Sequence, residues 1–527
     1  LRWDKTIGDH TFNATFLQYA EKFQRFFDHA DNSIFSPSDI LGYNNLNLGS
    51  NPILSGISDR NGNGRFDGNE EFIGDQTSTG DALMGRLNYS YMSKYLLTLS
   101  LRRDGFSAFG VNNKRALFPS VAAAWTISEE SFFNTETFDF LKVRLSLGEN
   151  GNREVGRYAA LSQLAAGKNL IVDNGNVVTV GTLTNTAMAN NNLKWERTRA
   201  WNLGVDFSFK NGIVEGSIDA YSSVTSDLLV ERALPDVLGF ENVFANLGEL
   251  QNRGIELVLT TRNLNRPNLR WTSNFNFSIN RNKLLSLYGD LDENGEELDD
   301  IQNRWFIGEP IDRIWGQRVL GIWQSNQAEE ADVYGVQPGD FQILDKNDDG
   351  VFTIEDNEFL GYARPRFRWT FVNNFQLYRN FDFSFELYSL WGQRRAFNAA
   401  KNRDGFIDRT NSLQTPYWTA DNPNNEWARL FSSDGGANFD VYRNNSFIRL
   451  QNITLAYNIP QTLLDRLGVQ RLRLYGNIRN VAVWAPGWDL LDPEAPDVDG
   501  VVSDNVGSFS TPTPTPRYYT LGLNLTF

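Results

Sequence analysis

The chain has 527 residues, a net charge of −15, no cysteine and only two histidines, His10 and His29. The missing cysteines exclude a disulfide framework, a thiolate nucleophile and a thiolate metal site. The acidic balance, with no basic patch standing out, argues against nucleic acid as a partner, and neither histidine sits in a motif that would build a Ser-His-Asp triad.

Aromatic residues make up 13% of the chain, with 38 Phe, 18 Tyr and 14 Trp. No run of about 18 apolar residues exists, so no transmembrane helix is expected. A membrane signal carried by alternation would not show in the mean hydropathy, which is negative.

Residues 1–7 read as the end of a strand, so the chain is expected to begin in mid-fold, with no leader before it. A period of two then recurs to the other end. Leu87, Tyr89 and Tyr91 alternate with polar residues, and Tyr95, Leu97, Leu99 and Leu101 follow. Leu141, Val143, Leu145 and Leu147 enclose Lys142, Arg144 and Ser146. Trp201, Leu203, Val205, Phe207 and Phe209 oppose Asn202, Gly204, Asp206 and Ser208. The pattern continues through 271–279, 367–377, 381–387 and 453–459, and closes at Tyr519, Leu521, Leu523, Leu525 and Phe527. Such strands carry one apolar and one polar face. Asn, Arg, Asp and Ser fill the second face, and Trp and Tyr ring the strand ends. That distribution suits a lipid face with aromatic girdles around a hydrated lumen.

The connections alternate as well. Short ones are expected at Gly8-Asp9, Ser93-Lys94, Lys210 to Gly212, Asn263 to Asn268 and Arg379-Asn380. Long ones are expected at about 28–80, 152–192, 288–366, 397–446 and 485–516. The reading is an all-β fold, a transmembrane antiparallel β-barrel wall of about fifteen strands across residues 1–527, with extracellular loops and a periplasmic C-terminus. An odd count leaves an unpaired edge, which is costly in lipid, so strands outside this sequence are expected to complete the barrel.

Several stretches carry a more specific likeness. They include LRRDGFSAFGVNNKRALFPSVAAAW (101–125), LKVRLSLGENGN (141–152), LKWERTRAWNLGVDFSF (193–209) and ANLGELQNRGIEL (245–257). Further on come PGDFQILDKNDDGVFTIEDNEFLG (338–361), FIRLQNITLAYNIP (447–460), RNVAVW (479–484), DPEAP (492–496) and TPTPRYYTLGLNLTF (513–527). Together they resemble the C-terminal barrel of the SusC/RagA family of TonB-dependent outer-membrane transporters. The resemblance implies a barrel of about 22 strands, an N-terminal plug, a SusD-like surface lipoprotein as a lid, and energy supplied through TonB. The plug, the TonB-contacting segment and the first strands have no counterpart here. The function implied is active import of a polar oligomer, a glycan ahead of a peptide, across the outer membrane of a Gram-negative bacterium. The alternatives are a scaffold barrel that anchors surface lipoproteins with little transport, and a passive porin. No enzyme activity is expected: acid pairs such as Glu129-Glu130 and Glu296-Glu297 read as solvated charge.

Two loops match the oxygen-ligand spacing of a calcium loop. Asp59, Asn61, Asn63, the Arg65 carbonyl, Asp67 and Glu70 fill all six ligand positions around Gly64. Asp345, Asn347, Asp349, the Val351 carbonyl and Asp356 fill a second set around Gly350, with the shorter Asp at the last position. Ca2+ is the only cofactor suggested. A polar turn without metal is the competing reading for both. Trp305, Trp315, Trp323, Trp418 and Trp427 sit in expected outer loops and are candidates to stack on a ligand. Packing of loop on loop is the competing reading for most of them.

Overall fold

The computed structural model describes residues 1–25, 31–33, 51–53, 57–58, 71–72, 76–133, 137–173, 176–234, 236–240, 242–401, 415–465, 468–488, 492–494 and 515–527. Fifteen strands form one antiparallel sheet in which spatial order is chain order. They are β1 (Arg2–Ile7), β2 (His10–Arg25), β3 (Gln76–Tyr91), β4 (Tyr95–Phe106), β5 (Arg115–Thr126), β6 (Phe138–Asn152), β7 (Glu196–Phe209) and β8 (Val214–Ser226). After these come β9 (Glu249–Arg266), β10 (Leu269–Ser286), β11 (Phe367–Leu377), β12 (Phe381–Trp391), β13 (Phe447–Asn458), β14 (Arg471–Trp484) and β15 (Tyr518–Thr526). β1 and β15 are the two edges. No helix among the described residues is long and apolar enough to cross a membrane.

One end of the sheet carries tight turns. Several are driven by left-handed residues: Gly8 at φ 58°, Met92 and Ser93 at 51° and 58°, and Lys210, Asn211 and Gly212 at 49°, 59° and 72°. Such residues match the twist of the flanking strands. The expected turn at Asn263 to Asn268 is narrower than the sequence suggested. Strand β9 runs to Arg266, and a bulge at Asn263 carries the chain through a polar stretch. The other end carries the long connections. It also carries loops at 107–114 and 227–248, which the alternation did not single out.

Register makes the alternation a surface. In antiparallel pairs, opposed residues share a face. Leu523 opposes Leu474, Tyr457 opposes both Leu474 and Phe381, and Phe381 opposes Leu377. Phe371 opposes Phe275, Phe275 opposes Leu259, Leu257 opposes Ile218, and Ile218 opposes Val205. Val205 opposes Val143, Val143 opposes Trp125, and Trp125 opposes Tyr95. The apolar face is therefore one belt across the wall. Much of it lies open, including Trp3, Leu99, Leu145, Trp201, Ile255, Leu455 and Leu521. A patch of this extent in water would far exceed what soluble proteins expose, whereas a bilayer covers it.

The packed cores lie in the long connections at the loop end. One joins Ile322, Phe341 and Ile343 to Phe397, Trp418, Trp427, Phe439, Val441 and Trp488. A second joins Phe109 and Phe118 to Ala159, Leu193 and Trp195.

Candidate functional site

The polar face of the wall is cross-linked from strand to strand. The Arg144 guanidinium on β6 donates to both Asp206 oxygens on β7 at 2.8 and 2.9 Å, and to Asp219 on β8 at 3.1 Å. Asn452 on β13 donates to Glu386 on β12 at 2.6 Å, and Asn477 on β14 donates to Thr454 at 2.8 Å. Near the turn end, a recess of about 290 Å³ is lined mostly by polar side chains, among them Arg270, Asn374, Asp382 and Arg473, together with Phe375 and Phe383. A wall with this lining presents fixed charges and amides to water-borne solutes.

At the loop end, Arg449 of β13 is 1% exposed. It donates to Asp492 at 2.5 and 3.1 Å, lies 2.7 Å from Glu494 and donates to Asn480. The approach to Glu494 is a charge contact rather than an aligned hydrogen bond. Tyr388 of β12 donates to Glu494. This cluster ties the β14–β15 connection to the polar face of the wall. Burial works to raise the Asp492 carboxyl, but hydrogen bonds from Arg449 and the Glu494 backbone N–H outweigh it and hold it below the usual range. In the sequence Arg449 falls on the apolar parity of Ile453 and Leu455, and a bulge at Gln451 turns it to the polar face, so the alternation gave no sign of its partnership with the DPE run.

The tryptophans separate into two groups. Trp323, Trp418 and Trp427 are 5, 9 and 4% exposed and pack inside the loop cores. Trp418 Nε1 donates to Gln324 at 3.0 Å. Trp305 and Trp315 are half-buried. Trp315 meets Phe306 edge-on at 5.1 Å, and Arg313 lies over the rings of Phe306 and Phe359 at 4.8 and 5.1 Å. Arg366 lies over Tyr362 at 3.6 Å. This aromatic and guanidinium surface offers stacking faces and donors at the loop end of the wall.

The 345–356 loop folds on its own hydrogen bonds. Asp345 Oδ2 accepts from the Gly350 N–H at 2.8 Å, and Asp349 Oδ1 accepts from the Val351 N–H at 2.8 Å. Asn347 donates to Asp349 at 3.0 Å. Asp356, fully buried, accepts from the Lys346 and Thr353 N–H groups at 2.9 and 2.7 Å. Asp345 Oδ1 is buried without a hydrogen-bond partner. Among the described residues, no three His, Cys, Asp or Glu side chains converge as a metal site. The Asp59–Glu70 loop lies outside the described residues, as does His29.

The acid pairs have structural partners. Glu130 takes hydrogen bonds from Tyr95 and Trp125, and Glu297 accepts from the Leu287 and Gly289 N–H groups at 2.7 and 2.8 Å. His10 sits beside the first turn, 2.8 Å from the Tyr89 hydroxyl and 4.8 Å from the Tyr91 ring centre.

Residues 2–481 match the family described as TonB dependent receptor-like, beta-barrel. The chain belongs to that family. It is 33% identical over 508 residues to TonB-dependent receptor P26 of Formosa agariphila, covering 93% of this chain and 49% of that protein. It is 29% identical over 461 residues to TonB-dependent receptor SusC of Bacteroides thetaiotaomicron, covering 84% and 43%. Its fold matches the structure of the RagAB peptide transporter with a TM-score of 0.75 at 20% identity, over all of this chain and 54% of that one. The resemblance to SusC and RagA therefore stands, in sequence for SusC and in fold for RagAB. The chain spans about half the length of the curated relatives it matches.

Proposed function

We propose that this chain is the C-terminal barrel wall of a TonB-powered importer of the outer membrane, which takes up a polar oligomer, a glycan ahead of a peptide. In this reading, strands and a plug outside the sequence complete the barrel. A SusD-like lipoprotein covers the loop end, and the C-terminus faces the periplasm. The observation that carries it is the two-faced wall: an open apolar belt on one side, and on the other a hydrogen-bonded face of Arg, Asp, Asn and Thr. Fixed polar groups on the inner face replace part of a solute's hydration as it passes. The rings at Trp305, Trp315 and Phe306, flanked by Arg313, suit a sugar ring or a planar peptide group at the loop end. No chemistry is assigned to the protein.

The test is uptake in the organism of origin. Deleting the gene abolishes growth on one oligosaccharide or peptide source, and disabling TonB does the same. Unchanged growth on every such source, with surface lipoproteins lost instead, would establish the scaffold role and overturn the proposal. A calcium ion at Asp345–Asp356 remains part of the reading on one feature, the buried Asp345 Oδ1 that has no hydrogen-bond partner. Terbium luminescence sensitised by the loop aromatics should be quenched by calcium and lost in Asp345→Asn. Luminescence that survives the substitution removes the ion from this loop.

A further inference from the structure

The belt ends in charge at the loop end, and the charge is of the wrong sign for an acidic chain. On β9 the open parity runs Leu259, Leu257, Ile255 and then Arg253. On β10 it runs Phe275, Phe277, Ile279 and then Arg281. Arg253 and Arg281 stand directly opposite each other, and Lys283 follows opposite Gln251. Like charges facing across a strand pair repel, so this arrangement is unfavourable unless something neutralises it. Among the described residues, none of the three forms an ion pair with a carboxylate. Arg253 is exposed. The Arg281 guanidinium is steadied by the carbonyls of Asn280, at 2.8 Å, and Arg366, which leaves its other donors free. Along β9 and β10 the acid on this parity is Glu249, beyond Gln251 and opposite Ser286; from the neighbouring loop and strand the Asp312 carboxylate and a further cation, Arg366, also act on Arg281.

Their place on the strands locates these cations relative to the belt. Arg253 and Arg281 directly follow Ile255 and Ile279, the last apolar residues of the open parity, on the side of the long loops. They therefore stand where the apolar belt gives way to polar residues on the loop side.

We infer that Arg253, Arg281 and Lys283 form a binding site for the phosphate groups of an anionic lipid in the leaflet next to the long loops. Paired guanidiniums offer forked donors that match phosphate oxygens, and the ammonium adds a third charge. The lipid's phosphates remove the repulsion between Arg253 and Arg281, so occupancy would fix the height of the β9–β10 hairpin in the bilayer. The inference rests on the reading of the belt as a lipid face with the loops outside.

The experiment uses the complete transporter, purified with its partner and placed in nanodiscs of phosphatidylcholine containing a minority of lipid A or, separately, of phosphatidylglycerol. Bound lipid is measured by native mass spectrometry. The expected result is enrichment of the anionic lipid over its share of the disc, reduced at least about twofold in Arg253→Gln/Arg281→Gln/Lys283→Gln and retained in Arg253→Lys/Arg281→Lys. Enrichment of lipid A alone identifies the outer-leaflet glycolipid as the ligand; equal enrichment of both identifies any lipid phosphate. Lipid bound at the composition of the disc, unchanged by the Gln variant, overturns the inference while leaving the lipid face intact. Failure to retain any lipid overturns the belt reading itself. Folding of each variant is checked by heat-modifiable gel mobility.

Discussion

Replacing Arg449 by Met should free the β14–β15 connection from the wall. Arg449 is buried between Asp492 and Glu494, whose side chains are 10 and 31% exposed. Removing one partner of a buried ionic cluster costs ~3–5 kcal/mol, because the remaining charges stay desolvated and uncompensated. Glu494 is open enough to regain water, so the lower end, ~3 kcal/mol, applies. That is roughly a 100-fold rise in the opening equilibrium. The readout is hydrogen exchange of the 492–494 segment, where the Glu494 N–H is bonded to Asp492 at 2.9 Å. Exchange should accelerate by about that factor while the strand amides of β6 and β7 keep their protection. Neutralising the whole cluster in Arg449→Met/Asp492→Asn/Glu494→Gln should restore most of the protection, because no orphaned charge remains. Exchange at the wild-type rate in Arg449→Met would refute the argument. So would a triple variant no better protected than the single one.

Acid should loosen the same connection. The folded Asp492 carboxyl is held below its unfolded value of about 3.9. Its contribution is therefore present above that value and is lost as pH falls through the lower folded value; exchange of the 492–494 segment should rise on acidification below about pH 4 after correction for intrinsic rates. Leu145→Arg places a charge on the open belt, where Leu145 is 45% exposed, and should cost ~2–4 kcal/mol in lipid-vesicle unfolding titrations; Asn202→Arg on the polar face should cost much less. Trp427→Ala empties a packed site in the loop core and should destabilise that core by ~3–5 kcal/mol. Trp305→Ala, at a half-buried ring, should leave thermal unfolding nearly unchanged and weaken ligand binding in a titration with the transported oligomer.

The wall was legible in the sequence because its signal is local. A period of two needs no partner to be seen, and the membrane repeats the same demand on each strand. The expected count of about fifteen agrees with the fifteen strands observed. The turn at 263–268 is narrower than its letters suggest, because polar residues in a strand resemble a turn until a bulge and cross-strand hydrogen bonds account for them. Asn263 donates to Ser273 at 2.7 Å, and Ser273 donates to Asn373 at 2.7 Å. The loops at 107–114 and 227–248 carry no local signal because they fold against distant residues: Phe109 against Trp195, and Phe244 against the same core.

The candidate site was less legible. Five loop tryptophans look alike as letters, and only tertiary packing separates Trp323, Trp418 and Trp427, sealed in loop cores, from Trp305 and Trp315 at the surface. Sequence alone determined which face of each strand is apolar, because that follows from residue parity. Only the structure decided which charges meet. Arg144 reaches Asp206 and Asp219 across 62 and 75 residues, and Arg449 reaches Asp492 across 43. Those pairings depend on the register of strands and the fold of loops, which the alternation of a single strand does not encode.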